Sequence, residues 1–198
     1  MIRGAMSPKP PVILGLSGAS GAAYARHFLK HLVRLKVPVE LVVSEAGAWL
    51  LRHELDAAPT PEGLCGGKAP GVTLRSIRDL GASISWGGSP TLGMVILPCS
   101  MGRVASIAAG LSQDLLDRAA AVTLKEGRKL VLVPREAPIG VIHLEAMARL
   151  AHAGAVILPA SPGFYTHPKT IEDLLAFLTA KLCRTLGLEP PDVPAYRP

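Results

Sequence analysis

Short, unbroken apolar runs that alternate with segments of helical spacing constrain this 198-residue chain more than any other feature. Residues 12–16, 38–43, 94–98, 130–133 and 155–158 form nearly continuous apolar stretches. A strand covered on one face alternates polar and apolar residues, so runs like these point to strands buried on both faces. Between them, residues 21–35, 45–55, 139–152 and 170–186 carry helical spacing, with Thr170 expected to cap the last helix and Gly187 to stop it. Two further helices are expected between residues 104 and 126, broken near 110–112, with Ser112 as N-cap. Residues 56–71 hold three prolines and four glycines and read as a loop. Residues 72–85 read as a short strand and turn.

This order predicts an α/β fold, a Rossmann-like (flavodoxin-like) doubly wound parallel sheet with helices on both faces. One domain over residues 12–187 accounts for the pattern, between a flexible tail at 1–11 and a proline-rich tail at 188–198. Hydrophobic residues make up 49% and the mean hydropathy is +0.35, yet no apolar run reaches membrane-spanning length. Membrane insertion is therefore not expected, and the apolar excess predicts contacts between subunits. Cys65, Cys99 and Cys183 are too dispersed for a disulfide framework or a zinc spacing. With no secretory signal in the polar first residues, a cytoplasmic location is expected. The formal charge of +6 is scattered and aromatics are only 4%, which argues against nucleic acid and for a basic pocket.

Ligands of such sheets bind beyond the carboxyl ends of the strands. The first run ends in Gly15-Leu16-Ser17-Gly18-Ala19-Ser20-Gly21, which reads as a phosphate-binding turn or as a tight turn without a ligand. The spacing is neither the dinucleotide fingerprint nor a P-loop, and Ser44 follows the second run, so a mononucleotide such as FMN fits better than NAD. After the third clear run, Ser100, Met101, Gly102 and Arg103 offer hydroxyl, amides and charge. Cys99 reads as a buried small residue, and His27, His31 and His143 as packed side chains. Arg118 and Lys125 lie two helical turns apart and share a face, either solvated or partnered. Arg135-Glu136 stands between Pro134 and Pro138, either as a surface pair or as groups held in position. The loop from Pro159 to Pro168 presents Phe164 and Tyr165.

Several of these stretches, in this order, resemble the flavin prenyltransferase (UbiX-type) family. They are Gly18-Ala19-Ser20-Gly21, Pro98-Cys99-Ser100, Arg118-Ala119-Ala120 with Leu124-Lys125-Glu126, Val133-Pro134-Arg135-Glu136-Ala137-Pro138, and Leu158-Pro159 running on to Gly163-Phe164-Tyr165. The resemblance implies that reduced FMN is held by Gly18, Ala19, Ser20, Ser44, Ser100, Met101, Gly102, Arg103 and Arg118. It implies that dimethylallyl phosphate is held by Arg118, Lys125, Arg135, Tyr165 and Lys181, without a metal. For that chemistry Lys125 and Arg135, with Arg118, are expected to stabilise the departing phosphate, Glu136 and that phosphate to carry the proton transfers, and Ser20 to relay or position; Glu54 matches an acidic position of the family. The implied product is prenylated FMN for a UbiD-type decarboxylase, made in a homo-oligomer, a dodecamer in the family, whose pocket is completed between subunits.

Three departures stand out. Trp86-Gly87-Gly88-Ser89 replaces a Ser-Gly-Ser word, and Trp86 either walls the flavin or allyl group or packs at an interface. Arg103 stands where a small or hydroxylated residue is frequent. Lys181 stands where arginine also occurs. The competing readings are an FMN-dependent decarboxylase of peptidyl or pantothenoyl cysteine, and a flavin carrier without enzymatic activity. Neither gives the Arg/Lys set a purpose.

Overall fold

The structure, a computed structural model, describes residues 9–193. The expected tails fall partly outside it, at residues 1–8 and 194–198. Six parallel strands run β1 (Val12–Leu16), β2 (Val39–Val43), β3 (Val72–Arg75), β4 (Gly93–Cys99), β5 (Leu130–Pro134) and β6 (Val156–Ile157). Their spatial order is β3-β2-β1-β4-β5-β6. The helices are α1 (Ala22–Arg34), α2 (Glu45–Leu55), α3 (Pro61–Cys65), α4 (Met101–Ala108), α5 (Leu115–Lys125), α6 (Val141–His152) and α7 (Ile171–Leu186).

The continuous apolar runs form because both sheet faces are covered. Val12, Leu14, Leu16, Val95, Leu97, Val131 and Val133 pack with Phe28, Leu29 and Leu32 of α1 and Leu178 and Leu182 of α7. The intervening Ile13, Met94, Ile96, Leu130 and Leu132 pack with residues of α4, α5 and α6. Phe28, Ile13, Leu14 and Leu97 are among the fully buried side chains. Each such burial contributes about 1.5–3 kcal/mol.

Four expectations shift. Residues 61–65 of the expected loop make one helical turn, capped by Thr60, which accepts from Gly63 N at 3.1 Å. The helix after β4 starts at Met101, because Ser100 accepts from Arg103 N and caps it. Asp114, not Ser112, caps α5, accepting from Asp117 N at 3.1 Å. The sixth helix starts at Val141, two residues late, behind a Gly140 N-cap. At α7 the Thr170 cap and the Gly187 stop are as read, and Asp173 adds the return bond to the Thr170 amide that completes a capping box.

Candidate active site

Strand order reverses between β1 and β4, and the loops leaving these two strands are pinned together there. Ser17, 2% exposed, accepts from Ser100 N at 2.8 Å and donates to Pro98 O at 3.2 Å. Beside them opens a cavity of about 640 Å³, lined by Ser17, Gly18, Ser44, Ser100, Gly102 and Arg103, with Glu45, Arg78 and Asp114 among its other walls. Ser44 caps α2 and Ser100 caps α4 through their oxygens, so both hydroxyl protons stay free to donate. The first two amides of α4, Met101 and Gly102, have no acceptor among the described residues. At Gly18 a Cβ would stand 2.6 Å from Ala46 Cβ, so only glycine lets this loop lie against the first turn of α2.

Beside the cavity, Ser20, Glu54 and Arg135 form a knot. The α1 N-terminus has no side-chain cap of its own, since Gly21 holds a φ of 123°. Glu54, from the far end of α2, accepts from Gly21 N at 3.0 Å and Ala22 N at 2.8 Å instead. Arg135, at the end of β5, donates from Nε to Ser20 O at 3.2 Å. Burial pushes the Glu54 carboxyl upward, but the Ser20 hydroxyl, the two amides and the Arg135 charge outweigh it and hold it below the ordinary glutamate value. A depressed folded pKa stabilises the protein above the unfolded value, and this contribution is lost as pH falls through the folded one. Glu54→Gln is therefore expected to lower the thermal midpoint at neutral pH and to remove part of its decline between about pH 5 and about pH 3. Melting curves across that range check it; an unchanged acid decline would remove Glu54 as its source.

The remaining positions are spread out. Ala19 and Met101 are buried, and Cys99 is fully buried with its thiol pushed up to about 12 by that burial, so it stays protonated. Glu136 is exposed and, among the described residues, accepts only from Ala137 N, at 3.2 Å. Arg118 is exposed without a side-chain partner among the described residues, and Lys125, also exposed, meets Glu126 at 3.3 Å. Ala119, Ala120 and Val122 are buried, so α5 is a half-covered helix with its cations outward. Lys181 lies 5.6 Å over the Phe177 ring, which meets Tyr165 edge-on. Among the described residues, the side chains of Arg118, Lys125 and Lys181 make no hydrogen bond or ion pair with the cavity walls.

The Trp86 loop rests on the end of α5. Arg128 donates to Ser89 O at 2.8 Å and to Gly87 O, while the Glu126 carboxylate lies where a Gly87 Cβ would be. This brings exposed Trp86 into the neighbourhood of Lys125. Sequence reasoning missed Ser17, Asp114 and Asp117. The Asp-x-x-Asp spacing ahead of Arg118 was the available signal for the capping pair.

Hydroxyls, open helix amides and a guanidinium around a glycine-lined cavity suit a phosphate-bearing polar chain such as that of FMN. The chain matches the model of the family described as Flavoprotein over residues 2–183. It is 42% identical over 189 residues to the flavin prenyltransferase UbiX of Synechocystis sp., covering 90% of this chain and 92% of that one. The chain belongs to the flavin prenyltransferase family. Among solved structures, a UbiX protein in complex with FMN and dimethylallyl pyrophosphate superposes with a TM-score of 0.88 at 34% identity, covering 96% of this chain and 98% of the other. A dodecameric FMN-dependent UbiX-like decarboxylase from Escherichia coli O157:H7 gives 0.86 at 36% identity, covering 95% and 100%. The UbiX-like fold thus extends over nearly the whole chain. Among the described residues, no helix is long and apolar enough to cross a membrane.

Proposed function

We propose that this protein joins a dimethylallyl group from dimethylallyl phosphate to N5 and C6 of reduced FMN. The product, prenylated FMN, would pass to a UbiD-type decarboxylase. The observation that carries the reading is the cavity at the β1–β4 reversal, with the Ser20–Glu54–Arg135 knot beginning two residues beyond its Gly18 wall, in a chain 42% identical to a flavin prenyltransferase. A cysteine-type decarboxylase or a flavin carrier would leave the Arg135-Glu136 pair and the α5 cations without a role.

When bound, reduced FMN supplies the nucleophilic N5 and C6. In this reading Gly18, Ala19, Ser20, Ser44, Ser100, Met101, Gly102 and Arg103 hold and orient it. Arg118, Lys125 and Arg135 meet the charge that develops on the departing phosphate, each worth about 3–4 kcal/mol by the usual effect of deleting one such donor. Glu136 moves protons at its carboxylate oxygens, and Ser20, held by Glu54, positions the reacting edge. Tyr165 and Lys181 complete the phosphate site.

Among the described residues, Arg118, Lys125 and Lys181 make no bond to the cavity walls, which supports a site completed by neighbouring subunits, as in a dodecamer. Ile142 and Phe164 are 77% and 71% exposed, and such apolar surface is suited to subunit contacts. A cytoplasmic location agrees with three free cysteines, all buried.

The test is an anaerobic incubation with reduced FMN and dimethylallyl phosphate, without added metal, followed by the mass of the released flavin. A gain of one C5 unit is expected; unmodified flavin would overturn the transferase reading. Arg118→Ala is expected to weaken FMN and allyl phosphate binding together by about 10-fold or more. Titrations with each ligand check this, and loss of one affinity alone would confine Arg118 to that ligand.

A further inference from the structure

The turn that carries Trp86 is held by more bonds than a surface turn needs. Trp86 N donates to Ser83 O at 3.2 Å, and its indole Nε1 donates to Gly81 O at 3.4 Å. Ser85, 2% exposed, donates to Leu80 O at 2.7 Å, and Ser89 N donates back to Trp86 O at 3.2 Å. From the other side Arg128 donates to the carbonyls of Gly87 and Ser89, and the Glu126 carboxylate lies where a Gly87 Cβ would be. Yet the indole at the centre of these bonds is 61% exposed.

The same carboxylate ties the turn to Lys125, whose Nζ lies 3.3 Å from Glu126 Oε1. An ammonium and an exposed aromatic side chain therefore stand close together at the end of α5. Gly87 and Gly88 carry no side chains, so the indole is the one bulky group of residues 86–88. Such a pair suits a ligand with a phosphate head and a short apolar tail that develops positive charge. The pair sits at the amino ends of the strands. Past the turn, Leu92 N donates to Pro11 O and Met94 N to Lys129 O, each acceptor just ahead of a strand. Ser17 and Ser100, which pin the cavity, follow the last residues of β1 and β4. The seven residues of β4 put about 20 Å between these two ends. Trp86 therefore meets a flavin only in a neighbouring copy.

We propose that Trp86 of one subunit walls the donor pocket at its neighbour's flavin and limits the donor to one isoprene unit. The proposal rests on the functional reading above, in which Lys125 meets the donor phosphate, and it names what sets the length of the chain. With the phosphate at Lys125 and the reacting carbon at the flavin, the far end of the chain meets the indole. The bonds exchanged are the same for any donor length. The allylic C–O bond breaks with its electron pair on phosphate, and bonds form to N5 and C6. Of the two flavin protons displaced, one adds to the allyl double bond and the other leaves with phosphate. Donor length is therefore decided by space alone.

The experiment compares wild type and Trp86→Ala, each incubated anaerobically with reduced FMN and either dimethylallyl phosphate or geranyl phosphate. The mass of the released flavin identifies the C5 or C10 adduct, and size-exclusion profiles establish assembly. Wild type is expected to favour the C5 donor in kcat/KM, and Trp86→Ala to lose about 10-fold or more of that preference and form the C10 adduct. An unchanged ratio overturns the proposal, as does a wild type that uses both donors equally. A crystal structure of wild-type protein with FMN and dimethylallyl phosphate gives a second reading that needs no variant. An indole within about 4 Å of the donor's methyl groups supports the proposal. An indole packed only against protein overturns it and makes Trp86 an interface residue. Failure of wild type to prenylate FMN with the C5 donor would remove the functional reading and this inference with it. C5 transfer with the length preference unmoved by Trp86→Ala removes the inference alone.

Discussion

Glu136→Gln is expected to keep its flavin and to turn over about 10²- to 10⁴-fold more slowly, the usual range for losing a general acid–base group. The substitution is isosteric, and the structure gives it little else to disturb. Glu136 is exposed at the end of β5, and among the described residues its carboxylate accepts from the next residue's amide alone. Glutamine's amide oxygen can still accept that bond, so folding and flavin affinity should be spared. Single-turnover formation of prenylated flavin, measured beside an FMN titration, separates the two effects. Full activity would remove Glu136 from the proton transfers; loss of flavin affinity along with activity would make it a binding residue instead.

A second large effect is expected at Asp117, where alanine should cost about 3–5 kcal/mol of stability. Its carboxylate is sealed from solvent and accepts from Arg103, Ser106 and Gln113. Removal strands those donors and leaves a guanidinium, 12% exposed, with Asp114 alone. Burial works against the Arg103 charge, but the two aspartates outweigh it and raise its pKa. Urea unfolding of Asp117→Ala beside wild type measures the loss, with Asp117→Asn expected to fall between them. A cost below about 1 kcal/mol would mean that water or a rearranged Asp114 replaces the carboxylate.

These two residues also differ in how far sequence reveals them. Glu136 stands out because it follows a buried strand and sits between prolines, both local properties. Asp117 lies among Leu115, Leu116, Ala119 and Ala120, and only its buried contacts with α4 separate it from a surface carboxylate on a helix. Arg103 poses the same difficulty, because a single arginine after a strand has the same local pattern whether free or paired. Glu54 caps a helix whose first residue lies 32 positions earlier in the chain. No helix-capping pattern spans that distance; it arises when α2 packs beside α1.

The sequence by itself determined the α/β class, the buried parallel strands, the capping of α7 and the glycine- and serine-rich strand ends. Each rests on short-range physics: side-chain periodicity, cap chemistry and the backbone freedom of glycine. Tertiary structure alone decided the strand order that makes β1 and β4 neighbours, and hence the cavity between their loops. It also decided which ionic groups meet, because Coulomb and hydrogen-bond partners are chosen by distance in space, across separations the local pattern does not encode. The outward placement of Arg118 and Lys125 on an alanine-rich helix follows from the same cause: composition sets how much of α5 is buried, and packing sets which face.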